Sequence, residues 1–307
     1  MNGVTQRRID DGRDGAQFDV AGSRGLFGEL RRLPAVLRQA SAALVWTAWV
    51  LLLLSVPTLL LVALDPRQLL GISVWIKPWK FQVSTGTYLL TLAWGMFWLT
   101  PRQRQSWGGR YVTWVAIAGA TFEVAYISWQ AAWGRASHFN VATPLDATMY
   151  VLMGVAAVLL TSTALVLGVM LLRHRPADLS RRMQQAVGWG LVMTFVLGTA
   201  FGAYLSSHTG HAVGGSGSDA GGLLLAGWSR SGGDLRVAHF FGIHAVHAML
   251  LFAWVADRMS RGGVATVDRG IGTAHASAVP VWVFAAIYSV FCVWTLVQAI
   301  VGRPFLH

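Results

Sequence analysis

Long apolar runs separated by short polar segments form the main pattern of this chain. Each of seven runs is long enough to cross about 30 Å of hydrocarbon as an α-helix, at about 1.5 Å per residue. The strict apolar–polar alternation of membrane barrel strands is not seen in them. The pattern predicts an all-α, polytopic membrane protein, a bundle of seven transmembrane helices over residues 42–64, 82–100, 111–133, 147–172, 185–206, 236–257 and 279–302.

The polar stretches predict how the rest of the chain is organised. Residues 1–25 are rich in Gly, Asp and Arg and have no apolar core of a cleavable signal, so we expect a disordered cytoplasmic tail. The segment 26–39 mixes Leu and Phe with Arg, which is typical of an interfacial helix. We therefore divide the chain into residues 1–41 and a membrane domain, 42–307, in which 207–235 form an external Gly-rich loop.

The composition agrees with a membrane protein, because 54% of residues are hydrophobic and only 12% are charged. The net charge of +11 is spread over the loops between apolar runs. Basic residues in such loops set membrane topology, so we expect membrane lipid as a partner and no nucleic acid. The single cysteine, Cys292, excludes internal disulfides and cysteine-based zinc or iron–sulfur sites.

The distribution of basic residues predicts the orientation. With the N-terminus in the cytoplasm, 17 of the 24 Lys and Arg residues lie on the inner side. This bias predicts a cytoplasmic N-terminus and an external C-terminus in a bacterial-type inner membrane. The seven basic residues on the outer side are Arg67, Lys77, Lys80, Arg135, Arg230, Arg236 and Arg303.

The histidines show the opposite bias, which topology rules do not explain. Only His174 and His275 of the nine fall on the inner side, and the terminal His307 we regard as incidental. The other six cluster in the outer half of the membrane, and imidazoles drawn from separate helices are typical ligands of a metal or a haem. The predicted metal ligands are His138, His208, His211, His239, His244 and His247.

A buried carboxyl group accompanies these histidines. At 1.5 Å per residue, Glu123 lies about 15 Å below the outer end of its helix, at the depth of His247. Tyr126 and Gln130 extend the same helix face outward. Intramembrane ionisable groups usually face the bundle interior with a partner, so we expect Glu123 to contact His244 or His247. Glu123, Tyr126 and Gln130 are the predicted catalytic residues.

Basic residues surround this region from the outside. Lys77 and Lys80 lie close to tryptophans in 71–82, which we interpret as an interfacial segment. Such cations are suited to an anionic group, such as haem propionates, a phosphate or a lipid headgroup. The predicted cofactor-binding residues are Lys77, Lys80, Arg135, Arg230 and Arg236.

Three functions fit these residues. The first is membrane redox chemistry or electron transfer with haem b or another metal centre, where Gly198, Gly202 and Gly242 make room for a porphyrin, and a quinone or an external protein is the redox partner. The second is a non-haem Zn, Fe or Cu enzyme that acts on a lipophilic substrate. The third is a proton-coupled carrier without metal. Whether the chain is an enzyme is left open, with a membrane oxidoreductase as the candidate.

Overall fold

A computed structural model describes residues 26–174, 179–215, 217–223, 226–262 and 279–306. The predicted disordered tail, His275 and His307 lie outside these ranges. In the described part the chain forms nine helices and four two-residue strands. They are α1 (Leu26–Leu64), β1 (Gln68–Leu69), β2 (Ile72–Ser73), α2 (Ile76–Phe97), α3 (Pro101–Gln105), α4 (Trp107–Ala132), α5 (Pro144–Arg173), α6 (Arg181–Ser206), β3 (Ala212–Val213), β4 (Gly233–Asp234), α7 (Leu235–Ile243), α8 (Ala245–Gly262) and α9 (Val279–Ile300).

The long helices make this an all-α, multi-pass membrane protein. Five stretches are long and apolar enough to cross a membrane: Leu37–Leu64, Trp107–Ala132, Pro144–Arg173, Arg181–Ser206 and Pro280–Ile300. Helices α7 and α8 together form a sixth candidate span, which is bent by 53°. Helix α2 has 22 residues but does not meet the same standard of length and apolarity. The number of spans by this measure is therefore five or six, against the predicted seven.

The first long helix is broken near the predicted boundary between interfacial helix and span. Ser41 has extended backbone angles, φ −158° and ψ 95°, inside α1. The predicted span begins at Ala42, directly after this kink. The placement of residues 26–39 at the membrane interface stays a prediction.

The predicted span 236–257 is not one continuous helix, because the chain leaves helical geometry at His244, between α7 and α8. The break leaves backbone groups that need partners inside the bundle. The backbone N–H of Val246 donates to Thr194 Oγ1 at 3.1 Å. The Phe241 carbonyl accepts from the Tyr288 hydroxyl at 2.8 Å. Neighbouring helices α6 and α9 therefore supply the hydrogen bonds that permit the bend.

Glycines on α6 bring α7 close to it. A Cβ added to Gly198 would lie 2.8 Å from Ile243 Cγ2, and one added to Gly202 would lie 3.0 Å from the His239 ring. A Cβ at Gly242 would meet the backbone of Leu197 at 3.0 Å. The G-xxx-G pair thus serves close helix packing, as small residues do in membranes.

Polar contacts fix the ends of the bundle. At one end Arg104 donates to the Gln39 carbonyl at 2.9 Å, and Arg182 pairs with Asp257 at 2.8 Å. At the other end Arg67 donates to the Ala132 carbonyl at 2.8 Å. There the tip of the β1–β2 hairpin also meets the long loop, since the Leu70 carbonyl accepts from the Asp219 N–H at 2.9 Å. The loops after α1, α4, α6 and α9 therefore gather at one end of the bundle.

Strand β4 packs tightly against the end of α9, and this contact generates a stability prediction. A Cβ on Gly233 would overlap the carbonyl group of Ala299. Gly233→Ala should therefore destabilise the protein by about 1–3 kcal/mol, the usual cost of overpacking. The measurement is the thermal unfolding temperature of the purified protein in detergent.

Gly154→Ala is the matched control, since no atom lies within 4 Å of a Cβ added there, within helix α5. It should be neutral, or stabilising by up to about 1 kcal/mol, because alanine favours the helix. Equal unfolding temperatures for the two variants would contradict the packing described at Gly233.

Candidate functional site

Helix α2 begins earlier than predicted, and this places two lysines at the end of the bundle where the loops after α1, α4, α6 and α9 gather. Residues 71–82 do not form one continuous element, because β2 ends at Ser73 and α2 begins at Ile76. Their placement at the membrane interface stays a prediction. Pro78 lies in the first turn of α2, where its missing N–H costs no helical hydrogen bond. The Lys80 ammonium donates to the Ala226 carbonyl at 2.9 Å. The Lys77 ammonium lies 5.9 Å from the Phe81 ring centroid.

Glu123 is buried in the middle of α4, with only 3% of the residue exposed. Its Oε1 has no hydrogen-bond partner among the described residues. The charged group that acts on it is Lys77, which also lies within the electrostatic range of Arg236 and Asp219. Among the described residues, Glu123 forms no hydrogen bond or ion pair with His244 or His247; the charge that acts on it is that of Lys77 on α2.

His138 lies in the loop between α4 and α5, between two aromatic rings. The Phe81 and Tyr150 ring centroids each lie 6.1 Å from that of His138. Burial, aided by the positive charge of Lys77, lowers the pKa of His138 to about 3. Its imidazole is therefore uncharged at neutral pH, the form that accepts a proton or binds a metal.

His239 faces α6 from the middle of α7. Its Nδ1 lies 3.0 Å from the Gly198 carbonyl oxygen. Since a carbonyl oxygen only accepts, Nδ1 carries the hydrogen and Nε2 keeps a free lone pair. His239 lies within the electrostatic range of His138 on one side and of His244 on the other. The close approach of α7 to Gly198 and Gly202 is what allows this hydrogen bond.

His244 and His247 continue this line at the break between α7 and α8. The His244 Nδ1 donates to the Phe240 carbonyl at 2.7 Å, so its Nε2 also keeps a lone pair. Its ring centroid lies 5.5 Å from that of His247. The Nε2 of His247 lies 3.4 Å from Thr91 Oγ1 on α2. The predicted histidines of this span therefore form a row that reaches α2.

A second polar group, which we call the loop network, consists of His211, Asp219, Asp234 and Arg236. Asp219 accepts from His211 at 3.0 Å and from Arg236 at 2.7 Å. Asp234 accepts from Arg236 at 2.7 Å and caps α7 through the Arg236 N–H. Asp234 is thus the N-cap residue of α7, while Arg236 is held by two carboxylates.

Burial opposes the ionisation of Asp219, but the hydrogen bond from His211 and the charge of Arg236 outweigh it. The pKa of Asp219 therefore lies below its usual value. The carboxylate is charged at neutral pH and ties the long loop to α7. Asp219 also accepts the hydrogen bond from Nε2 of His211, which is one of the six predicted metal ligands.

Four of the predicted site residues are exposed. His208 is exposed, and its Nδ1 donates to the Tyr204 carbonyl at 2.8 Å. His247, Arg135 and Arg230 are also exposed. The five predicted cofactor-binding residues therefore divide into a less exposed set, Lys77, Lys80 and Arg236, and an exposed set, Arg135 and Arg230.

Gln130 contacts the start of α5, and Tyr126 contacts Gln130 rather than Glu123. Gln130 Nε2 donates to the Tyr126 hydroxyl at 2.7 Å and to Asp146 Oδ1 at 3.3 Å. Asp146 also accepts from Thr143, the residue that caps α5. Their geometry fits a structural link between α4 and α5, and the catalytic role predicted for them stays a prediction.

The site as a whole brings together part of the predicted set. Electrostatic interactions link Glu123 to Lys77, Lys77 to His138, and His138 to His239. His244 and His247 extend this row in the same way. Within the described ranges, no three His, Cys, Asp or Glu side chains are grouped as a metal site. The metal-ligand roles of the six histidines stay predictions.

Several residues of the site were not anticipated. Asp219 has a weak signal in the sequence, since it is one of two acidic residues in the long loop that precedes Arg236. Gln82 is 5% exposed on α2, and its Oε1 has no partner among described residues. Gln82 could have been predicted from the sequence, because it is a polar residue in an apolar run. Phe81 and Thr91 could not, because their contacts depend on which loop and which helix pack against them.

Comparisons with protein-family models, with curated proteins and with solved structures found no match for this chain.

The loop network generates a prediction of pH-dependent stability. Because the pKa of Asp219 is lower in the folded protein than its ordinary value of about 3.9, folding favours the ionised form. This stabilisation is complete above that value and is lost as the pH falls through the lower folded-state pKa. Asp219→Asn should therefore cost about 1–3 kcal/mol at neutral pH, the cost of weakening a buried polar contact.

The measurement is the unfolding temperature of the wild type and of Asp219→Asn from pH 7 downwards. The difference between them should be largest at neutral pH and shrink in acid. A difference that is the same at every pH would show that the charge of Asp219 does not hold the loop.

Proposed function

We propose that the chain is a membrane carrier that transfers protons through the outer half of its bundle. Glu123 is the central proton-exchanging group. The histidines His239, His244 and His247 pass protons along the row that leads from it. Thr91 on α2 completes the row at its inner end.

The observation that carries this proposal is the state of Glu123. A carboxyl group in a membrane bundle is costly, and it usually faces a partner or a water-filled cavity. Glu123 is 3% exposed, has an Oε1 without a described partner and faces a lysine of α2. Such a group is stable either protonated or beside a cation, which is the property required of a proton carrier.

The histidine geometry supports a relay. In both His239 and His244 the Nδ1–H is fixed on a backbone carbonyl, at 3.0 Å and 2.7 Å. Each ring can therefore take up and return a proton only at Nε2 without losing its anchor. A ring spacing of 5.5 Å between His244 and His247 permits transfer through one water molecule.

For the membrane topology we propose seven spans, with α2 as the additional one, a cytoplasmic N-terminus and an external C-terminus. The loops that follow α1, α4, α6 and α9 share one end, as alternating spans require. Most basic residues lie at the other end, which supports a cytoplasmic location for it. A bacterial-type inner membrane fits this arrangement. The site then opens toward the outside.

Glu123→Gln tests the proton-transfer proposal. Purified protein is reconstituted in vesicles that contain a pH-sensitive dye, and a potassium diffusion potential drives proton entry. The wild type should acidify the interior faster than protein-free vesicles. Glu123→Gln, which cannot exchange a proton, should slow this by at least about tenfold, as expected when a proton-transfer group is lost.

His174→Ala is the control, since His174 is exposed at the opposite end of the bundle, at the end of α5. It should behave as the wild type. Proton entry equal to that of protein-free vesicles, or full activity in Glu123→Gln, would refute the proposal.

A second candidate function is membrane redox chemistry with haem b, or with Zn, Fe or Cu, in the same region. The observation that favours it is again the anchoring of His239 and His244. Metal-bound histidines usually donate the other ring N–H to a carbonyl or carboxylate, which fixes the ring and raises the basicity of the ligating nitrogen. His239 and His244 both have this arrangement.

The absorption spectrum and metal content of the purified protein test this second candidate. A Soret band that shifts on reduction, or stoichiometric Zn, Fe or Cu, is the expected result. His239→Ala and His247→Ala should then lose the cofactor while His174→Ala retains it. Full cofactor content in both variants would exclude these histidines as ligands.

A further inference from the structure

Helix α1 is kinked at Ser41, near the end of the bundle where Arg104 lies, and hydrogen bonds hold both sides of the kink. The Ser41 hydroxyl oxygen accepts from the Leu44 N–H at 3.4 Å. A serine in this position caps the helix that follows it, so the apolar part of α1 starts again at Ala42. Before the kink, the Gln39 carbonyl accepts from Arg104 at 2.9 Å. The two parts of α1 are therefore fixed relative to each other.

Helix α1 buries part of its surface in the bundle on both sides of the kink, and this turns other residues toward the surrounding lipid. The residues buried in the main apolar core are Leu37, Ala40, Leu44, Val45 and Ala48. The exposed residues include Arg38 before the kink and Trp46, Trp49 and Leu53 after it. An arginine, two tryptophans and a leucine therefore face the membrane from the two parts of one bent helix.

These four residues line a surface groove of about 320 Å³, which we call the α1 groove: Arg38, Trp46, Trp49 and Leu53. Trp46, Trp49 and Leu53 are three and four residues apart, which places them on one face of the helix. From Trp46 to Leu53 this apolar wall extends about 10 Å along the helix, at 1.5 Å per residue. A groove with a cation at one end and an apolar wall of this length is suited to an amphiphile, with an anionic head and a hydrocarbon chain.

The charge around the α1 groove is positive. Residues 30–64 and 97–122, which form most of α1, the whole of α3 and the first part of α4, contain no Asp or Glu. The arginines of these two stretches are Arg31, Arg32, Arg38, Arg102, Arg104 and Arg110. Basic residues near a membrane surface attract anionic lipids, and the guanidinium group matches the geometry of a phosphate. An anionic headgroup is therefore favoured over a zwitterionic one.

We propose that the α1 groove binds one anionic glycerophospholipid from the leaflet on its side of the membrane. The lipid phosphate pairs with Arg38, the indole N–H groups of Trp46 and Trp49 donate to the ester region, and an acyl chain packs along Leu53. Tryptophans commonly lie at this level of a bilayer. The α1 groove is at the other end of the bundle from Lys77 and the loop network, so its occupancy does not depend on the proposed proton transfer.

Helix α4 supplies a matched comparison for the α1 groove. Arg110 and Trp114 are both exposed and lie one turn apart, at the end of α4 that follows α3. They have the same chemistry as Arg38 and Trp46, but they do not line the α1 groove. An arginine that only extends toward lipid phosphates should behave like Arg110. A lipid bound in the α1 groove should depend on Arg38 alone of the two.

The test is lipid retention by the purified full-length protein, measured by native mass spectrometry from detergent. The protein is incubated with an equimolar mixture of dioleoyl phosphatidylglycerol and dioleoyl phosphatidylcholine. These two lipids have the same acyl chains and differ in the charge of the headgroup. The wild type should retain one phosphatidylglycerol at least about fivefold more often than one phosphatidylcholine, as expected for one arginine that acts on an anionic lipid.

Variants assign the two ends of the α1 groove. Arg38→Gln should bring the retention of the two lipids close to equal, whereas Arg38→Lys, which keeps the charge, should preserve most of the preference. Arg110→Gln should keep the wild-type preference. Trp46→Ala combined with Trp49→Ala should lower the retention of both lipids without changing the preference, because it removes the apolar wall and leaves Arg38 in place. All these side chains are exposed, so the variants should unfold at the wild-type temperature.

Three outcomes overturn the assignment of this lipid site. The first is equal retention of the two lipids by the wild type. The second is a preference that Arg110→Gln lowers as much as Arg38→Gln does, since the selectivity would then come from the general positive charge of this end of the bundle. The third is unchanged lipid retention in the double tryptophan variant, which would locate the lipid elsewhere. Each of them leaves the proton-transfer proposal standing, because none involves Glu123.

Discussion

An ionisable carboxyl group inside a membrane bundle is the constraint on which the described site depends. Glu123 lies among apolar helices, where water is not available to solvate it. The described part of the bundle supplies no hydrogen bond to its Oε1, but it does bring the ammonium group of Lys77 within electrostatic range. Helix α2 can do this because it begins at Ile76, so that Lys77 is inside the helix rather than in the preceding loop.

Small residues and a helix break place the histidines around this charge. Gly198 and Gly202 allow α7 to approach α6 so closely that His239 reaches a backbone carbonyl of the neighbouring helix. The break at His244 turns the next helix, and Thr194 and Tyr288 satisfy the backbone groups that it exposes. The close packing of α7 on α6 and the hydrogen bonds at the helix break therefore fix the positions of the imidazoles.

The long loop between α6 and α7 is held by charge, in contrast to the helices, which are held by apolar packing. Asp219 and Asp234 both bind Arg236, and the Leu70 carbonyl of the β1–β2 hairpin accepts from the same loop. The loop is therefore tied both to the start of α7 and to the hairpin that precedes α2.

The sequence by itself determined the all-α membrane class and most helix positions. A continuous run of about twenty apolar residues can satisfy its own backbone hydrogen bonds in lipid only as a helix. The sequence also singled out Glu123, the histidines and Lys77, since ionisable residues are rare in such runs. Only the tertiary structure decided that Glu123 faces Lys77 rather than His247, that His211 binds Asp219, and that the span 236–257 is broken. Those outcomes depend on how neighbouring helices and loops pack, and residue spacing along one helix gives depth and face but not the partner across the bundle.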